Sequence, residues 1–66
     1  MSPEKLVMMT NQIALFFSTQ PGDAADKIAD HLKDFWGPEM RTQLLQYVDA
    51  GGEGLNPFVK EAAKRL

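Results

Sequence analysis

Three times in this chain a small residue precedes a proline at the head of an amphipathic run: Ser2-Pro3, Gly37-Pro38 and Asn56-Pro57. Proline lacks only the N–H that would be unpaired in a first helical turn, and its φ is already set for a helix, so each pair reads as a helix start. Ser2 and Asn56 also supply side-chain oxygens of the kind that cap such starts. Gly37 reads in addition as the stop of the preceding helix, because glycine tolerates a left-handed C′ position. The chain is thereby divided into short helices joined by corners.

The apolar spacing predicts four of them. Leu6, Met9, Ile13, Phe16 and Phe17 recur at three- and four-residue steps and predict one face of a first helix, ended by Ser18-Thr19-Gln20-Pro21-Gly22-Asp23. Asp23 is placed to cap a second helix, with Asp26 in its first turn and Lys27 at the favourable acid-first (i, i+4) spacing from Asp23. Its apolar face is Ala25, Ile28, Ala29, Leu32, Phe35 and Trp36. A third helix, from about Pro38 to Ala50, carries Met40, Leu44, Leu45 and Val48, and Gly51-Gly52-Glu53-Gly54 closes it. A fourth carries Phe58, Val59, Ala62 and Leu66, with Lys64 and Arg65 at its negative end. With no period-two stretch, the chain reads as an all-α fold, one domain over residues 1–66 built as a small bundle of three to four short amphipathic helices.

A chain of 66 residues buries only about 60% of the surface it exposes when unfolded, so its core is thin. There is no cysteine, which removes disulfides and thiolate-held metals or iron–sulfur clusters as sources of extra stability. A partner is the remaining source. An apolar fraction of 44% is too high for a disordered chain. The net charge of −2 lacks the basic surplus that draws proteins to nucleic acid or anionic lipid, and no apolar run approaches a membrane span. The absence of a leader-like N-terminal run predicts a cytoplasmic chain.

Chemistry finds little support. His31 is the sole histidine, and its neighbours one turn away are Lys27 and Phe35, which do not bind metals. Asp26, Asp30 and Asp34 repeat every four residues as a solvated acidic face. The glycines after the third helix lack the preceding strand and the Gly-Lys-Ser/Thr ending of a phosphate loop. No cofactor is expected in this chain. The doublets Met8-Met9, Phe16-Phe17 and Phe35-Trp36 remain: adjacent helical residues point about 100° apart, so a narrow face cannot bury both equally. Such an apolar surplus on a small domain marks an interaction surface. Phe17, His31, Phe35, Trp36, Pro38, Met40 and Arg41 are the expected partner-binding residues, with Leu32 and Phe35 serving the core and Trp36 at its edge beside Arg41.

The strings MSPEKLV at the start, TNQIALFF at 10–17, IADHLKDFWGPEMR at 28–41 and GGEGLNPFVKEAAKRL at 51–66 resemble the small delta subunit of bacterial NAD-dependent formate dehydrogenases. The most specific part is His-Leu-x-x-Phe-Trp-x-Pro-x-Met-Arg; Met8, Thr10 and Gly37 depart mildly from the pattern. The resemblance implies a cytoplasmic, non-catalytic accessory subunit of a formate-oxidising complex that passes electrons to NAD. Its partners would be larger subunits carrying a molybdenum or tungsten cofactor, iron–sulfur clusters and flavin, and its role assembly or stabilisation. Two other readings stay open: a small helical regulator binding nucleic acid through the third helix and Lys60, Lys64 and Arg65, and a module that self-associates into a homo-oligomer.

Overall fold

The computed structural model describes residues 1–66 as four helices: α1 Pro3–Ser18, α2 Ala24–Phe35, α3 Pro38–Asp49 and α4 Pro57–Ala63. Three of the starts are side-chain capped. Ser2 Oγ accepts the Lys5 N–H at 3.2 Å, Asp23 Oδ1 accepts the Asp26 N–H at 3.2 Å, and Asn56 Oδ1 accepts the Phe58 N–H at 2.9 Å. These bonds satisfy donors that every helix start leaves open. α2 packs on α4 and α1, and α4 also meets α1 and α3, within a body of 30 × 22 × 18 Å.

The core is one cluster: Leu6 and Ala14 from α1, Ala25, Ile28, Ala29 and Leu32 from α2, then Trp36, Leu44, Leu55, Val59 and Ala62. Alanines make up much of what α2 and α4 bury, Ala24, Ala25 and Ala29 on one and Ala62 and Ala63 on the other, so these faces are buried with little side-chain volume. α1 turns inward along the four-residue steps Leu6, Thr10, Ala14, which differs from the predicted face. Thr10 is fully buried because its Oγ1 donates to the Leu6 carbonyl at 2.9 Å within its own helix. The helix presents Ile13 and Phe17 partly to the core and leaves Phe16 outside, 61% exposed. In α3 only Leu44 is buried, while Leu45 faces solvent; in α4, Phe58 is exposed and Ala63 takes an inward place.

The corner between α2 and α3 is built differently from the expected glycine stop. Gly37 has φ −69° and ψ 167°, an extended conformation open to any residue, and it stands as the N-cap of α3 without a side-chain cap. The physical cause is Pro38, whose ring disfavours the α conformation in the residue before it. α2 therefore ends at Phe35, and Trp36 is itself extended at φ −96°, ψ 135°. The left-handed stop occurs after α3, where the Gly52 N–H reaches the Tyr47 carbonyl at 2.9 Å and the Gly51 N–H reaches Val48 at 3.0 Å. This is a Schellman closure, and Gly51 and Gly52 have φ of +119° and +60°.

Candidate functional site

Local rotation along a helix would place Trp36 about 100° from Phe35, but the extended backbone at Trp36 aims it elsewhere. Its indole enters the core and is 7% exposed, whereas Phe35 is 75% exposed. The expected assignment is thus reversed: Phe35 lies outside and Trp36 is the largest side chain of the core cluster. Met40 is half-buried and packs against that cluster, Pro38 is exposed, and Arg41 is half-buried with no carboxylate in ion-pair range.

Three of the expected residues, with Phe16 added, come together as one aromatic series. Phe16 and Phe17 meet edge to face with centroids 5.1 Å apart and planes at 79°. Phe17 crosses from α1 to His31 on α2 at 5.6 Å and 61°. His31 lies 4.8 Å from Phe35, one turn further along α2. The Phe16–Phe17 and Phe17–His31 contacts are edge to face, the orientation that aromatic pairs prefer, and the His31–Phe35 contact is tilted, with planes at 39°. The two end members, Phe16 and Phe35, are the exposed ones, and Phe17 and His31 are half-buried between them. The Phe16-Phe17 doublet was the sequence signal for this surface; which of its members would face outward depended on the rotation of α1 about the line Leu6, Thr10, Ala14.

The charged groups are arranged at the opposite end of α2. Arg65 Nη1 lies 2.7 Å from Asp26 Oδ1 and 3.1 Å from Asp23 Oδ2, and its Nη2 lies 3.7 Å from Glu61 Oε1. The Asp23 carboxyl is held below its ordinary value, first by the backbone N–H of Asp26 and further by the Arg65 guanidinium. Lys64 pairs with Glu61 at 3.4 Å, so two of the three C-terminal cations have carboxylate partners. Lys27 does not pair with Asp23 as its spacing suggested; its ammonium donates to the Pro21 carbonyl and closes the α1–α2 turn. Asp30 and Asp34 are exposed. No three His, Asp or Glu side chains gather as metal ligands. The one cavity, of about 380 Å³, is a shallow cleft between the start of α1 and the end of α3, lined by Pro3, Glu4, Val7, Tyr47 and Glu53.

From residue 5 to residue 63 the sequence matches the NADH-dependent formate dehydrogenase delta subunit family, FdsD. The chain belongs to that family. The match takes in all of α2, α3 and α4 and most of α1, and with them every ring of the aromatic series. As a delta subunit, the chain has larger formate dehydrogenase subunits as its implied partners. Comparison with curated proteins gives no match. No helix is long and apolar enough to cross a membrane.

Proposed function

We propose that this chain is a non-catalytic accessory subunit of a cytoplasmic formate dehydrogenase, and that it docks on the larger subunits through Phe16, Phe17, His31 and Phe35. Those larger subunits would carry the molybdenum or tungsten cofactor, the iron–sulfur clusters and the flavin, and this chain no cofactor of its own. Its role would be to assemble or stabilise the complex. The observation that carries the reading is the aromatic series itself. Two phenyl rings stand in solvent at 61% and 75% exposure on a domain that has already buried its only tryptophan. Exposed aromatics cost solvation, and large rings at a surface are the residues that dominate protein–protein contacts.

Of the residues expected from the sequence, Phe17, His31 and Phe35 stay in the proposed contact and Phe16 joins them. Pro38, Met40 and Arg41 would belong to its surroundings, and Trp36 acts from within by holding the end of α2. The nucleic-acid reading loses ground because Lys64 and Arg65 are engaged by carboxylates.

The test is a double variant, Phe16→Ala with Phe35→Ala, expressed with the larger subunits. Both side chains are exposed, so the chain is expected to fold as before, with an unchanged circular dichroism spectrum, and to be lost from the purified complex. Retention of the double variant in the complex at the wild-type ratio would overturn the docking role of these rings.

A further inference from the structure

We infer that His31 is the residue that makes docking selective: its imidazole forms a hydrogen bond with a carbonyl group in a groove of a larger formate dehydrogenase subunit, between sites filled by Phe16 and Phe35. This inference rests on the aromatic series being the docking surface and specifies what the partner must present.

Three observations lead to it. The first is the state of the imidazole. His31 is half-buried between Phe17 at 5.6 Å and Phe35 at 4.8 Å. It makes no hydrogen bond within the chain. No polar side-chain atom of the protein is both fully buried and unpaired, so the ring nitrogens are not sealed from solvent. When a partner covers the phenyl rings on either side, water leaves the imidazole too, and a nitrogen without a replacement partner would weaken the complex. The surface is therefore not simply greasy; it contains one polar requirement at its centre.

The second observation is shape. The only cavity of the molecule is lined by Pro3, Glu4, Val7, Tyr47 and Glu53, none of them in the aromatic series. No cavity opens among the rings, so the two exposed phenyls are the groups that insert and the partner supplies the groove. A second copy of this chain would offer the same exposed rings and no groove for them. The two outer phenyl groups present on the order of 300 Å², against about 800 Å² per partner in a stable interface. Self-pairing through these rings alone thus falls well short, while a larger subunit can enclose the rings and also touch the surroundings.

The third is charge. Asp30 directly precedes His31 and Asp34 lies one turn beyond, both exposed, while Lys27, one turn before, donates its ammonium to the Pro21 carbonyl in the α1–α2 turn. A carboxylate brought to the imidazole by the partner would approach these like charges, whereas a backbone or side-chain amide carbonyl accepts from the ring N–H without that repulsion. Aliphatic or methionine side chains suit the two phenyl rings beside it.

The experiment measures binding of the full chain to the large-subunit assembly purified from cells lacking this chain, by biolayer interferometry. His31→Phe keeps an aromatic ring in the series but removes both nitrogens. It is expected to fold with an unchanged or higher melting temperature and to bind at least roughly tenfold more weakly. His31→Asn or His31→Gln returns a side-chain N–H at the position of one ring nitrogen or the other, and one of the two is expected to recover most of the lost affinity. His31→Phe binding as tightly as wild type overturns the inference, and so does weak binding that neither amide relieves, since that would assign the effect to ring shape. The Phe16→Ala/Phe35→Ala chain in the same assay separates the two levels. If it fails to bind while His31→Phe binds normally, the docking surface stands and the hydrogen bond does not. If it binds normally, the docking surface itself is overturned and the inference with it.

Discussion

The Asn11 side chain accepts the backbone N–H of Asn56 at 2.8 Å, joining the middle of α1 to the cap of α4 across 45 residues of sequence. The same amide donates to the Gly54 carbonyl at 2.9 Å. One side chain therefore satisfies both a donor and an acceptor of the loop between α3 and α4, which Tyr47 also holds by donating its hydroxyl to the Glu53 carbonyl at 2.6 Å. Asn11→Ala removes both bonds and is expected to cost about 1–3 kcal/mol. Asn11→Asp keeps the acceptor and loses the donor, so it should fall between. Urea titration of the two variants checks the order; equal stability of Asn11→Ala and wild type would show that the loop holds itself.

The reversed roles of Phe35 and Trp36 give a paired prediction. Trp36→Ala empties the largest site in the core and is expected to cost about 3–5 kcal/mol. For a chain of this size, whose whole stability is roughly 3–10 kcal/mol, that leaves much of the population unfolded at room temperature. Phe35→Ala removes a side chain already in water and is expected to change stability by no more than about 1 kcal/mol. Thermal melts followed by circular dichroism should separate the two; similar melting temperatures would contradict the packing described above.

Glycine is required after α3 and not before it. A Cβ at Gly52 would sit 3.1 Å from Lys60 Cε and 3.4 Å from Leu55 Cδ1, on a backbone with φ +60°. Gly52→Ala is expected to cost about 1–2 kcal/mol, chiefly from the left-handed backbone, since the lysine stem can move aside. Gly37 has open space around it and an ordinary φ. Gly37→Ser adds the missing cap to α3 and removes freedom from the unfolded chain, with an expected gain of about 0.5 kcal/mol. Denaturant midpoints moving in opposite directions for the two variants are the expected outcome.

Acid should act through Asp23. Its carboxyl is held below the ordinary value of 3.8 in the folded chain. A group with a depressed folded-state pKa stabilises the fold above its unfolded value and loses that contribution as pH falls through the folded value. Asn at this position can still cap α2 but carries no charge, so Asp23→Asn isolates the effect. Wild type should be the more stable of the two near neutrality, and the curves should converge as pH falls through and below the ordinary carboxylate value of 3.8. Parallel curves over that range would remove Asp23 from the acid response.

The helix count and the helix starts were legible in the sequence because they are local. A proline at the first helical position and an oxygen-bearing residue before it act within one turn, and Ser2, Asp23 and Asn56 all cap as their types suggest. The buried half of α2 was also legible, since Ala25, Ile28, Ala29 and Leu32 leave no other face to bury. α1 was harder. Leucine, methionine and phenylalanine occur nearly all round it, and the face that turns inward runs through Leu6, Thr10 and Ala14. A buried threonine was acceptable only because its hydroxyl found a carbonyl in its own helix.

The docking surface followed the same division. That this chain has more aromatic surface than its core can take was determined by the sequence, as was a family likeness running through Phe35 and Trp36. Which ring of each pair turned outward was decided only in the tertiary structure. Neighbouring residues on a helix differ by about 100°, and the packing of the other helices selects which of them faces in. At Trp36 even that rule lapses, because Pro38 forces the chain out of the helix and the extended backbone carries the indole inward. His31 then stands between two rings that were 18 residues apart in the chain, Phe17 and Phe35, a placement set by how α1 crosses α2.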